Sequence, residues 1–332
     1  MLSRSLTKST KRVERCVPSL PLHRIPSVTF SAQIKQFLSY CGGLPAPEAS
    51  DNPLGYKFSW SSRGVLLALL NSAKYYANGE TIQIPGTDLM SHAKPYFITP
   101  AHAFVAYPNR DSTSFREAYN IPEAETVIRG TLRYQGFPQF ISVLVKIGFL
   151  NEKTKDWLVD GLTWREVTQK AISAQSAEEK VLVEKIVEIT QFSDVAEKTR
   201  IISGLRWIGL FSDEKVEIRA GNLLDTLCAR LEKLMAYGED ERDLIMLQHK
   251  FVVEWKDGSE QVITSTLEAY GVPGGHSAMA LTVGVPCGIA VQLVLDGVIK
   301  APGVCAPYSK ALNDPIIELL EKEGISMVER YV

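Results

Sequence analysis

The chain has 332 residues, 45% of them hydrophobic and 22% charged, which suits one large or two ordinary globular domains with a buried core. A formal net charge of -2 excludes a protein drawn to nucleic acid or an anionic membrane by its overall field. Any ligand has to be recognised locally.

Residues 1 to 32 stand apart. Arg4, Lys8, Lys11, Arg12, Arg15 and Arg24 face a single acid, Glu14, among many Ser, Thr and Pro. That composition is either a mitochondrial presequence or an unrelated disordered segment, and Pro18, Pro21 and Pro26 interrupt any long amphipathic helix. From Ile34 to Tyr40 the pattern predicts a buried strand, followed by a rigid loop over Cys41 to Pro47 that holds two glycines and two prolines. Ser62 to Tyr76 reads as a helix, Asn78-Gly79 as a turn and Thr81 to Ile84 as a strand. Further strands are expected at Phe104 to Tyr107 and Glu125 to Tyr134, then a helix from Pro138 to Ile147.

Residues 151 to 248 show no convincing strand. Three or more amphipathic helices fit, at Trp164 to Ser173, Ala177 to Thr190 and Gly221 to Met235, and the Leu223, Leu224, Leu227, Leu231 and Leu234 stripe is a core face. Residues 249 to 332 return to mixed structure. A hairpin is expected over Phe251 to Trp255 and Gln261 to Thr266, with Asp257-Gly258 in its turn. A glycine-punctuated helix then runs from Ser277 to Val294, a last helix opens at Asn313-Asp314-Pro315, and Ser326 to Arg330 forms a strand. The longest apolar run, Val283 to Val298, is broken by Gly284, Pro286, Gly288 and Asp296, short of the roughly 18 residues a membrane span needs. A soluble protein is expected.

Five cysteines without a C-x-x-C pair indicate reduced thiols rather than a zinc site or a disulfide framework. Cys41 beside two glycines could be a nucleophile, but no histidine pairs with it, and a small buried thiol is the plainer reading. His92, His102 and His249 are isolated and receive no role, and no G-x-G-x-x-G follows a strand. Three constellations remain. Asp51 to Gly64 sets Trp60 and Ser61 at a helix start; Tyr107 to Thr113 holds Arg110; Arg129-Gly-Thr-Leu-Arg-Tyr134 puts two arginines at a strand exit. Arginine suits bidentate carboxylate binding, so these residues suggest a pocket for a small polycarboxylate, although any one of them alone could be a surface ion pair.

Ser39 to Glu48, Asp51 to Ser61, Tyr107 to Thr113, Arg129 to Tyr134 and Gly274 to Ala280 together resemble saccharopine reductase, the NADP-dependent, L-glutamate-forming saccharopine dehydrogenase of fungal lysine synthesis. The resemblance covers Gln33 to Val332. It implies an α/β fold: a mixed-sheet domain for saccharopine binding and homodimerisation (33–150 and 249–332), an inserted all-helical subdomain (151–248), and an N-terminal Rossmann domain largely missing. It implies NADP as cofactor and, as substrates, saccharopine or glutamate with 2-aminoadipate 6-semialdehyde, whose imine is reduced. Trp60, Arg110, Thr131, Leu132 (through its backbone) and Arg133 would bind substrate, and Ser61 would lie near the nicotinamide. No catalytic acid or base and no metal site is assigned. The last strand, near Met327, is expected to join the sheet of the nucleotide-binding domain. This chain alone is expected neither to bind NADPH tightly nor to turn over. A cytoplasmic location follows, or a mitochondrial one if the basic segment is a presequence. A non-enzymatic remnant, and the reductase-like part of a bifunctional lysine-degrading enzyme, stay open as alternatives.

Overall fold

In this computed structural model residues 32–300 and 302–332 are described; the expected basic segment lies outside them but for Ala32. One nine-stranded mixed sheet organises the chain, in the order β3-β2-β6-β1-β7-β8-β9, with β5 paired to the C-terminal half of β6 beyond β2 and β4 on β5. Its strands are β1 (Ala32–Pro45), β2 (Ala73–Ala77), β3 (Glu80–Ile84), β4 (Lys94–Tyr96), β5 (Phe104–Pro108), β6 (Thr126–Tyr134), β7 (Asp243–Trp255), β8 (Glu260–Tyr270) and β9 (Val328–Tyr331). Central β1 pairs parallel with β6 and antiparallel with β7.

The helices are α1 (Ser62–Ala68), α2 (Ser114–Ala118), α3 (Phe137–Lys146), α4 (Trp164–Ile172), α5 (Glu179–Thr190), α6 (Val195–Ile208), α7 (Leu223–Leu234), α8 (Ala278–Leu295) and α9 (Lys310–Lys322). Helices α3 to α7 cover one sheet face in a continuous core: Tyr40, Leu132 and Met246 from the strands meet Phe140, Leu182 and Leu224 from the helices. Thr163 caps α4 in a full capping box with Glu166, as the apolar period and the acid three residues on dictate. On the opposite face a smaller cluster of Phe37, Val127, Phe251 and Ile263 lies under Phe115 and Tyr119.

Several predicted boundaries move. The loop expected at Cys41 to Pro47 is instead the second half of β1, because its glycines serve close approach rather than a turn. A Cβ on Gly42 would lie 2.9 Å from the Leu132 Cβ, and one on Gly43 would lie 2.6 Å from the Met279 Cε. The helix expected to reach Tyr76 stops at Ala68, and residues 73–77 are a strand. Asn78 and Gly79, at φ 51° and 82°, form a two-residue hairpin turn, which demands a strand on both sides. Strand β7 begins at Asp243, since Leu244 to Leu247 is an apolar run buried on both faces. The last strand does not stand apart for another sheet: it pairs antiparallel with β8.

The glycines and proline expected to interrupt the late apolar run do not do so. Helix α8 runs 18 residues through Pro286 and is long and apolar enough, by length and composition, to cross a membrane. Gly284, Gly288, Val291 and Leu295 form its exposed stripe. Its N-terminus is fixed from a distance. The buried Asp243 carboxylate accepts from the N–H groups of Ala278 (2.6 Å) and Met279 (2.9 Å), while Ser277 caps Ala280. Asp243→Ala strands two donors at a helix start and is expected to cost about 2 kcal/mol in urea unfolding, with Asp243→Asn recovering part of it.

Candidate functional site: a trough along the central strand

Side chains alternate along a strand, so Phe37, Ser39, Cys41 and Gly43 share the face of β1 opposite the helical core. Three of the four are small. The register places Ser39 between Arg129 and His249, Cys41 between Thr131 and Leu247, and Gly43 against Ile245. A row of small residues between two strands of large ones leaves a trough about 10 Å across and about 13 Å long. Ser39, Cys41, Gly43, Arg129 and Thr131 are half-buried, although they lie at the centre of a nine-stranded sheet. Phe37, packed on Phe251 at 5.2 Å, closes one end, and Met279 over Gly43 closes the other.

The wall on the β6 side is cationic. Among the described residues neither Arg129 nor Arg133 has a carboxylate within ion-pair distance, whereas Arg63, Arg165, Arg206, Arg219, Arg230 and Arg242 all do. Arg133 is buried: Nη1 donates to the Leu132 carbonyl at 2.8 Å, and the guanidinium lies 4.8 Å from the Tyr56 ring and 5.3 Å from Phe137. Its Nε has no partner, and the buried Tyr107 lies beside Thr131 on the neighbouring strand. Arg129 lies over Phe115 at 4.3 Å.

The expected site residues are placed as follows. Trp60, at the start of α1, rests against Gly64 and lies beside Tyr56, so Trp60 and Arg133 share Tyr56. Ser61 caps α1 by accepting from Gly64 N–H at 3.1 Å, which leaves its own O–H free to donate. Thr131 lines the trough. Leu132 points into the helical core, and only its carbonyl, already taken by Arg133, faces the site. Arg110 follows β5 with a left-handed φ of 54°, next to Asn109, whose N–H donates to the Arg129 carbonyl at 2.9 Å. In the backbone Arg110 follows the Pro108–Gly130 pair, while Arg133 lies opposite Val105 at the other end of the β5–β6 ladder.

Arg129 stands out in the sequence as one of two arginines at a strand exit but, like Ser39, Tyr56, Tyr107 and His249, it is given no substrate role there. Their signal was present in the alternation Phe-x-Ser-x-Cys-x-Gly on β1, which a loop assignment hid. Burial, opposed by the two arginines, pushes the Cys41 thiol up to about 11, so it is protonated near neutral pH and no thiolate nucleophile.

A family profile for the saccharopine dehydrogenase C-terminal domain matches residues 22–325. The chain belongs to this family. Saccharopine dehydrogenase [NADP(+), L-glutamate-forming] of Schizosaccharomyces pombe is 59% identical over 303 residues, 90% of this chain and 67% of that protein. The mitochondrial alpha-aminoadipic semialdehyde synthase of Bos taurus is 39% identical over 298 residues, 89% of this chain and 32% of its own length. The solved apo saccharopine dehydrogenase (L-Glu forming) of Saccharomyces cerevisiae superposes with a TM-score of 0.86 at 53% identity, covering 98% of this chain and 71% of that one. Higher identity to the fungal dehydrogenases than to the synthase disfavours the lysine-degrading alternative.

The family name carries NADP(+), but the described residues do not by themselves fit a whole dinucleotide. The parallel pair β1–β6 has no strand, glycine-rich loop and helix to cradle a pyrophosphate.

His249 is buried, stacked at 5.9 Å on Phe37, and burial, aided by Arg129, lowers its pKa to about 4. The folded chain takes up that proton only below about 4, the unfolded chain already below about 6.5. Stability should therefore fall as pH falls through that window, by about 2 kcal/mol between pH 7 and pH 5. Urea unfolding at the two pH values measures it, and His249→Phe should flatten the dependence by that amount.

Proposed function

We propose that this chain carries the substrate site of a saccharopine dehydrogenase (NADP+, L-glutamate-forming), which reduces the imine of 2-aminoadipate 6-semialdehyde and glutamate to saccharopine in lysine biosynthesis. One observation supports it above the others: a half-buried trough of small residues with the unpaired Arg133 at one end. Saccharopine is an extended tricarboxylate with a secondary amine at its middle, and such a ligand matches a long groove with a cation at its end.

In this reading Arg133 takes a terminal carboxylate, stiffened by Tyr56 and Phe137 on its faces. Thr131 donates from the wall, and Arg110 stands at the far rim. The neutral Cys41 thiol lies beneath the middle of the ligand without attacking it. Trp60 walls the open side, and the Ser61 hydroxyl donates toward the cofactor, which supplies hydride when bound. NADP(H) meets the described part of the chain only at this Trp60–Ser61 corner. The chain's contribution is therefore orientation: it holds the carbon–nitrogen bond to be reduced at a fixed distance from its carboxylate anchors. A homodimer and a cytoplasmic location belong to the same reading and rest on the resemblance alone.

Calorimetry tests it. Saccharopine should bind the chain, and Arg133→Gln should weaken that binding at least about tenfold, the loss of one charge-assisted hydrogen bond, with an unchanged circular dichroism spectrum. NADPH should bind far more weakly than saccharopine. Equal affinity of Arg133→Gln and the parent for saccharopine would remove the anchor, and the reading with it.

A further inference from the structure

The two ends of the trough are built differently. At one end the buried Phe37 is wedged between Tyr119, edge-on at 5.3 Å, and Phe251, stacked at 5.2 Å. At the other end the stop is a single flexible side chain. A Cβ on Gly43 would meet the Met279 Cε at 2.6 Å and the Ile245 Cδ1 at 3.5 Å. The space that Ser39 and Cys41 leave open above β1 is therefore filled, at Gly43, by the Met279 methyl group. Strands β1 and β6 run parallel with Cys41 opposite Thr131, so one further step along both brings Gly43 level with Arg133. The methyl group stands at the same end as that cation.

The backbone that carries Met279 has no freedom to retreat. Its N–H donates to the Asp243 carboxylate at 2.9 Å, and the Ala278 N–H donates to the same group at 2.6 Å. Asp243 is buried and opens β7 opposite Pro45, two pairs beyond Gly43 and Ile245 in the β1–β7 ladder. The first turn of α8 is thus referenced to the strand pair that floors the trough. What can adjust is the side chain, which is unbranched and turns about three bonds. Met279 is half-buried, so its end packs on the Gly43 backbone while part of it stays open to the trough.

We infer that Met279 is a specificity-determining residue, whose methyl group is the end stop that sets how long a ligand the trough admits. This deepens the saccharopine reading and rests on it for the anchor at Arg133. A guanidinium attracts any carboxylate over a range of distances and does not count methylenes. A wall does, because one methylene too many has to displace packed atoms. Phe37 is locked in a cluster of rings, so the adjustable limit lies at Met279. Glycine at position 43 then has a definite duty. Any side chain there would push the methyl group back along the trough and shorten it.

The probes are unbranched dicarboxylates of increasing length, from glutarate to sebacate, together with saccharopine, each titrated into the full chain by calorimetry. In the parent chain affinity should rise with length to a cutoff and fall about tenfold for the next methylene. Met279→Ala should move the cutoff toward longer ligands, whereas Met279→Leu, of similar volume, should keep it in place. Gly43→Ala should move it toward shorter ligands, and combining Gly43→Ala with Met279→Ala should bring the parent cutoff back. Circular dichroism reports whether each variant is folded. A cutoff that stays put in Met279→Ala, or a Gly43→Ala effect that is the same with and without Met279, overturns the end stop. Saccharopine binding with an unmoved cutoff keeps the substrate reading and removes the end stop alone. A cutoff that moves as expected in a chain that does not bind saccharopine does the reverse, and no binding by any probe removes both.

Discussion

The functional face depends on a steric rule applied to one strand. At the centre of a large sheet both faces are ordinarily filled, and β1 fills only one of them, with Tyr40 and Leu44 in the helical core. On the other face the chain sets Ser39, Cys41 and Gly43, which remove volume where neighbouring strands supply it. The trough is the result, and everything chemical about the site follows from what borders it. Arg129 and Arg133 on β6 border it without a carboxylate at ion-pair distance among the described residues. The aromatic rings of Tyr56, Phe137 and Phe115 stand in for the missing carboxylates by offering π faces. Gly130 belongs to the same scheme on the reverse face, where a Cβ would come 2.3 Å from the Tyr40 ring. Close strand packing below permits the open floor above.

Much of the fold was legible from local pattern. Helices with a clear apolar stripe, such as α4, α5 and α7, ended within a residue or two of where caps and periodicity put them. Errors gathered where a local signal had two meanings. Gly42 and Gly43 look like a turn in one dimension, but they are the points where Leu132 and Met279 approach the backbone. Val65, Leu66, Leu69 and Ala73 keep a helical period across a boundary, because the loop that ends α1 buries Leu69 as well. Helix α8 lies where a glycine-punctuated helix was expected, and only the capping of its start by the remote Asp243, 35 residues earlier, cannot be read from the run itself.

The site was legible in part, and for a definable reason. Arg133, Thr131 and Trp60 stand out in the sequence because short motifs carry them. His249 received no role because nothing near it in sequence suggests one: its place beside the trough comes from register, which sets it opposite Ser39 on a strand more than 200 residues earlier in the chain. Register in a mixed sheet is set by non-local pairing, and a single sequence read in windows does not contain it.

Helices far from the trough bear on it through α1. The corner that carries Trp60 and Ser61 is a seven-residue helix, too short to hold its place by its own hydrogen bonds. It is tied instead to the helical core. The Ser62 hydroxyl donates to Glu232 on α7 at 2.6 Å, Glu232 is held in turn by Arg219 at 2.8 Å, and Arg63 bonds Asp225 at 2.8 Å. Asp225 is buried, so its bond to Arg63 is screened less than an exposed pair would be. The open wall of the trough is thereby referenced to α7, and the floor to β1, two elements joined through the same core. An appended bundle that only added bulk would not need polar ties of this kind at a short helix beside the site. In this fold the helical part sets the position of the wall beside β1.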